Sequence, residues 1–234
     1  NIWGRGDLDV IHAIGTSSNC FFFEMGRLLT IDNINKYCTL YGFGQPTGIE
    51  LTDVENTGVL ADPDYARDHG LEWTAGRVIA TAIGQGYNTF NPLQISCYMS
   101  MIVNRGTRYS AHLLGSVREF HTGNIIYKPE PTVAAQFDMD SVTYNAVMEG
   151  MGLVVSSPTS MASRYLSDYP VKVGAKTGTA QVGDGSADNC VFAAFAPFDD
   201  PQIVFSCVIE HGVNGYYAAK GARDVFDSFF GFNK

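Results

Sequence analysis

Basic side chains are scarce in this chain. Its 234 residues hold 15 Lys and Arg against 24 Asp and Glu, a formal net charge of −9. Nucleic-acid binding needs a basic footprint that neutralises phosphates, so that class of partner is not expected. Adsorption to an anionic lipid surface is disfavoured on the same ground. Long apolar runs are lacking too. None approaches the ~18 residues of a membrane-spanning helix, and the densest cluster, Phe21-Phe22-Phe23, is interrupted at once by Glu24. Residues 1–20 have no initiating Met, no charged lead-in and no secretory core, so no targeting address is legible there. The start at Asn1-Ile2-Trp3-Gly4 reads as mid-pattern, a piece of something longer.

Cysteine is sparse and badly spaced for structural chemistry. The five thiols, Cys20, Cys38, Cys97, Cys190 and Cys207, make no CxxC pair and are odd in number. A disulfide framework and a zinc site are both unexpected, and the role of small buried hydrophobe covers most of them. The five histidines, His12, His69, His112, His121 and His211, stand apart from one another and from the cysteines. No HExxH is formed, so no metal site is expected. Gly84-Gln85-Gly86 lacks the third glycine of a dinucleotide fingerprint, and Asp62-x-Asp64 lacks the rest of a calcium loop. A phosphate-binding P-loop fails as well, because Ala175 stands between Gly174 and Lys176. No cofactor is therefore expected.

What is present is an ordinary globular composition, 45% hydrophobic and 17% charged, which suits one domain with a sizeable core. Residues 7–16 read as a helix, and a second helix begins at the Ser17–Asn19 cluster, where Ser and Asn suit an N-cap. Phe21, Met25, Leu28 and Leu29 then recur at helical spacing. Residues 52–72 are turn-rich and charged, a surface excursion. Residues 78–82 and 92–103 are helical in pattern, with Pro92 suited to a first helical position. Residues 106–136 look irregular, with short strands and a turn at Gly123-Asn124. Residues 140–153 form a further helix, and Ser156-Ser157-Pro158 a loop. The last third changes period: 171–182, 191–195 and 203–209 are β-branched or aromatic runs joined by turns, and a helix over 218–230 closes the chain. The layout is α+β, a helical region plus an antiparallel three-strand meander.

Two motifs carry chemistry. Lys176-Thr177-Gly178-Thr179 lies within a predicted strand, where Lys176 and Gly178 share one face and Thr177 and Thr179 the other. Glycine weakens a strand interior unless another backbone comes close, and an extended peptide adding itself to the strand would be such a backbone. A lysine here offers positive potential to a carboxylate, and its ordinary pKa keeps it charged at neutrality. Alone, the tetrapeptide fits a solvated edge strand equally well, with lysine guarding the edge. Ser17-Ser18-Asn19 is fully explained by a helix cap. Its weight comes from company: it is the only Ser-x-Asn in the chain, and Lys-Thr-Gly also occurs once.

Together with flanking segments, these motifs resemble a known family. Ser17-Ser18-Asn19-Cys20-Phe21-Phe22-Phe23, Tyr41-Gly42-Phe43-Gly44 with Thr47-Gly48-Ile49-Glu50, Ala82-Ile83-Gly84-Gln85-Gly86-Tyr87 with Pro92-Leu93-Gln94, and Gly174-Ala175-Lys176-Thr177-Gly178-Thr179-Ala180-Gln181-Val182 follow one another in family order. The chain resembles the C-terminal two-thirds of the transpeptidase domain of a class B penicillin-binding protein. The Ile-Gly-Gln-Gly form is closer to the elongation-type penicillin-binding protein 2 branch than to the division-type branch. Asn91 departs from the pattern, which usually has Thr before Pro92.

The large departure is the nucleophile. No serine is followed three residues later by lysine, so the Ser-x-x-Lys of the family is absent. The resemblance implies residues 1–234 as a truncated transpeptidase domain of the penicillin-binding protein and serine β-lactamase fold, lacking the N-terminal strands and the nucleophile helix. It implies a D,D-transpeptidase of peptidoglycan synthesis, acting on stem peptides and binding β-lactams through a serine ester. Ser17, Asn19 and Lys176 would be the catalytic residues. Ser17 would relay a proton, Asn19 orient the absent lysine, and Lys176 hold the substrate carboxylate with Thr177, Gly178 and Thr179. The implied setting is the extracytoplasmic face of a bacterial membrane, beside a membrane glycosyltransferase. Two alternatives share the motifs: a non-catalytic penicillin-binding sensor or scaffold, and a D,D-carboxypeptidase or serine β-lactamase. Three expectations follow. Lys176–Thr179 lies on an edge strand within about two hydrogen-bond lengths (~6 Å) of Ser17. The chain exposes an unusual apolar surface, through which it self-associates or pairs with the missing segment. It forms no penicillin adduct.

Overall fold

A computed structural model of the chain describes residues 7–183, 185–212 and 216–232. Helices α1 (Val10–Gly15), α2 (Asn19–Tyr41), α3 (Pro63–Asp68), α4 (Ala75–Thr81) and α5 (Pro92–Val103) come first. Four short strands follow as two antiparallel pairs. In one, β1 (Thr107–Tyr109) pairs with β4 (Val133–Gln136); in the other, β2 (Val117–Arg118) pairs with β3 (Ile125–Tyr127) across the Gly123-Asn124 turn. Helices α6 (Ser141–Ser156) and α7 (Ser163–Leu166) lead into an antiparallel sheet. Its strands β5 (Gly174–Ala180), β6 (Asn189–Ala196) and β7 (Ile203–Ile209) lie in chain order, and α8 (Tyr216–Phe230) closes the fold. This is the α+β layout expected from the sequence.

The middle strand divides the core. Phe192 is fully buried on one face of β6, with Val154, Leu166, Ala219, Ala222 and Phe226. Phe195 is fully buried on the other, with Met99, Met148, Met151 and Tyr144. Alternation along a strand sends these two rings to opposite faces, so one strand nucleates both clusters. Helix α8 supplies Ala218, Ala219, Ala222 and Phe226 at the spacing of one helical face.

Glycines set how closely the helices approach. A Cβ on Gly150 of α6 would stand 2.7 Å from the Cβ of Ile14, and one on Gly15 would stand 2.7 Å from that of Leu153. Helix α1 therefore lies tight against α6, which itself packs on β5. The residues that leave α1 emerge beside the edge of that strand. A Cβ on Gly26 of α2 would likewise come 2.5 Å from the Cβ of Ala82, which brings the end of α4 against α2.

Two expectations need correcting. The apolar spacing in α2 predicts one buried stripe, but Leu28 and Leu29 are 56% and 48% exposed, and only Gly26 and Ile31 are buried. Helical spacing puts these side chains on one side, but nothing covers that side at Leu28 and Leu29; the helix is then interrupted at Thr30, whose φ is 65° and ψ 161°. Residues 52–72 are more than turns, because α3 lies among them. Asp62 accepts from the Tyr65 N–H (2.7 Å) and Pro63 occupies the first turn, a start signal visible in the sequence itself.

Candidate active site

The Ser17-Ser18-Asn19 turn has separate work for each residue. Ser18 caps α2: its Oγ accepts from the Phe21 N–H at 3.5 Å. Ser17 is thereby released from capping, and its left-handed φ of 50° turns its side chain toward β5. Its Oγ accepts a hydrogen bond from Lys176 Nζ. Lys176 Nζ also donates to the Thr177 carbonyl at 2.7 Å. Asn19, first residue of α2, lines the same cleft.

Strand β5 pairs with β6 on one side and, among the described residues, with no strand on the other. The Thr177 carbonyl accepts from Lys176, and the Thr179 carbonyl accepts from Gln85 Nε2 at 3.0 Å. Both carbonyls thus face away from β6. In an antiparallel ladder the N–H and C=O of one residue point the same way, so the N–H groups of Thr177 and Thr179 also face the open side. A cleft of about 730 Å³ results, lined by Ser17, Asn19, Lys176, Thr177, Gly178 and Thr179, with Phe22, Phe23, Gln85, Tyr98, Gln181 and Asp188. All six sequence-nominated residues meet there.

Gly178 is not demanded by crowding. A Cβ there would meet Val191 at 3.4 Å, an ordinary cross-strand contact. Gly174, at the start of the same strand, contrasts with it: a Cβ there would lie 2.2 Å from the Phe195 ring. The protein itself leaves Gly178 room, so the bare backbone at this point is space offered to the cleft.

The lysine corrects another expectation. Burial lowers the Lys176 pKa from 10.5 to about 8, because desolvation penalises the charged form. No carboxylate stands within ion-pair distance among the described residues to oppose this. Lys176 is still mostly protonated at neutrality, but it titrates within reach of it. Among the described residues, no three His, Cys, Asp or Glu side chains gather as metal ligands, and no helix is long and apolar enough to cross a membrane.

The segment before Pro92 is structural. Asn91 and Gln94 form a reciprocal capping box at the start of α5. Gln94, only 1% exposed, donates to the carbonyls of Gln45 (3.0 Å) and Thr57 (2.7 Å), which fixes the loop after α2. Asn91 Nδ2 adds a bond to the Asn56 carbonyl at 2.6 Å. Sequence reasoning missed Gln85 and Asp188 as cleft residues. The glycines flanking Gln85 were the available signal: φ is +76° at Gly84 and +92° at Gly86.

The chain is matched by known proteins over nearly its whole length. The sequence model of the penicillin binding protein transpeptidase domain matches residues 1–230. The chain belongs to that family. The peptidoglycan D,D-transpeptidases MrdA of Escherichia coli K12 and Salmonella typhimurium LT2 are similar to it, at 28% and 30% identity over 96% and 97% of the chain. The chain spans 37% and 39% of the length of those relatives. The crystal structure of Pseudomonas aeruginosa PBP2 in complex with WCK 5153 is 27% identical, with a TM-score of 0.81 over 97% of this chain and 51% of that one. These similarities lie in the penicillin-binding protein 2 branch of class B, as the Ile-Gly-Gln-Gly segment implied.

Proposed function

We propose that the cleft is the substrate-gripping part of a D,D-transpeptidase site that cross-links peptidoglycan stem peptides at the outer face of a bacterial membrane. The observation that carries this reading is the convergence of Ser17 and Lys176 at an open strand edge, across 159 residues of sequence. Lys176 and the hydroxyls of Thr177 and Thr179 would hold the terminal carboxylate of a D-alanyl-D-alanine peptide, which pairs along β5. A serine Oγ attacks the penultimate carbonyl, D-alanine leaves, and an acceptor amine then takes the acyl group from the serine ester. Ser17, held by Lys176, would pass the serine's proton toward the leaving amine, with Asn19 positioning the base. The Thr179 N–H would contribute one oxyanion donor, and losing one such donor costs ~3 kcal/mol of transition-state stabilisation. The nucleophile is not among these 234 residues in Ser-x-x-Lys form. In the cell, a membrane glycosyltransferase that supplies glycan strands is the companion this chemistry calls for.

The test is covalent labelling. The 234-residue chain incubated with a fluorescent penicillin shows no added mass on any serine. A longer chain with a Ser-x-x-Lys segment ahead of Ser17 becomes labelled, and Lys176→Ala in it slows labelling. A β-lactam adduct on a serine of the 234-residue chain, or labelling of the longer chain indifferent to Lys176→Ala, sinks the proposal.

A further inference from the structure

We infer that Gln85 is a gate on the substrate-binding edge, occupying the backbone position that an incoming peptide must use. This rests on the transpeptidase reading of the cleft and adds a residue to it. Gln85 Nε2 donates to the Thr179 carbonyl at 3.0 Å, across 94 residues of sequence. That carbonyl points away from β6, on the side of β5 that carries no strand among the described residues. A peptide adding to an open edge satisfies such carbonyls with its own N–H groups. Gln85 presents the same kind of donor, an amide N–H, from the opposite wall. It is a stand-in for one residue of the guest strand.

The local backbone holds it there. Gly84 and Gly86 both have left-handed φ, and a Cβ on either would meet nothing closer than 3.7 Å. Glycine is required by the sign of φ rather than by crowding, so the turn is built to aim the residue between them. The Gln85 N–H donates to the Ala80 carbonyl at 3.0 Å, which ties the turn to the end of α4. Helix α4 is in turn seated on α2 by the close approach of Ala82 to Gly26. Asn19, on α2, and Gln85 therefore belong to one wall, and β5 forms the other. Ser17 and Gln85 bridge the walls at different points of the strand. A carboxylate reaching Lys176 leaves the Gln85 bridge intact. An extended peptide bearing an N–H at the level of Thr179 has to break it. Gln85 thereby sets a threshold that an extended peptide must overcome and a simple carboxylate does not meet.

The test is a nuclear magnetic resonance titration of the isotopically labelled chain with an N-acetyl tripeptide ending in D-alanyl-D-alanine. Propionate, a carboxylate with no N–H, serves as control. As the peptide saturates, the Gln85 side-chain amide signals move to free-amide positions while the Thr179 backbone N–H moves to a hydrogen-bonded one; propionate shifts only signals around Lys176. Gln85→Met keeps the bulk and removes the donor, and it tightens peptide binding about fivefold, the worth of one competing hydrogen bond. Propionate affinity stays unchanged. Peptide binding that depends on Lys176 but is unchanged or weakened by Gln85→Met overturns the gate alone, as do Gln85 signals that stay in place. Absence of peptide binding in every variant overturns the reading of the cleft, and the gate with it.

Discussion

At the scale of single residues, Lys176 has its position at some cost to the fold. Burial holds its folded pKa at about 8, below the ordinary lysine value of 10.5. The folded state therefore binds fewer protons than the unfolded one between those values, and stability rises with pH across that window. Below about 8 the penalty is present in full; above 10.5 it is gone. Lys176→Met should raise the melting temperature at pH 7, and the gain should shrink to nothing as the pH passes 10.5. A melting difference independent of pH between 7 and 11 would count against a desolvated ammonium. Ligand affinity should run the other way, with binding of a carboxylate-ended peptide weakening as pH rises through 8. Gly178→Ala separates fold from site in the same manner. Room for the methyl beside Val191 predicts a stability change within about 1 kcal/mol, against at least a tenfold loss of peptide affinity, ~1.4 kcal/mol. Calorimetry of both properties on one preparation decides it.

At the scale of elements, the site depends on how helices are seated. Gly26→Val should push α4 away from α2, since even a Cβ would lie 2.5 Å from Ala82. Overpacking of this kind costs ~1–3 kcal/mol. The telling readout is the Gln85 amide signal, which should lose its hydrogen-bonded position even in the folded fraction. Elements with strong local signals are legible in the sequence. The three β-rich runs gave β5, β6 and β7 to within a few residues, and the α5 limits at Pro92 and Val103 followed from proline and periodicity. Ser17 and Lys176 could be nominated together only because their motifs resemble a family; no local propensity links residues 159 apart. The reach of Gln85 was not legible. It depends on the Gly26–Ala82 approach, a tertiary contact that leaves no periodic trace. The Leu28–Leu29 face misled for a related reason. Helical spacing tells which side chains share a side, but not whether anything covers it.

At the scale of the whole molecule, β7 is the second edge of the sheet. Its faces are covered by α5 and α8, yet its outer side carries no strand among the described residues. Ile203–Ile209 contains no charged side chain, no proline and no bulge against β6, the usual protections of an edge. The 234-residue chain should therefore self-associate as its concentration rises, by light scattering. The β7 amide protons should exchange quickly when dilute and slowly when concentrated. A concentration-independent monomer with slow β7 exchange would contradict this.

The sheet thus has two unlike ends. At β5, Lys176 and Gln85 stand against the strand; the outer side of β7 carries no strand among the described residues, and Ile203–Ile209 holds no charged side chain. Head-to-tail stacking needs β5 of one copy to accept β7 of the next, and those side chains oppose it. Only β7 against β7 is left, which is a two-fold contact that uses up the surface forming it. Growth halts at a pair, and fibrils have no second step. The residues read here as a receptacle for peptide would then also protect the chain from polymerising.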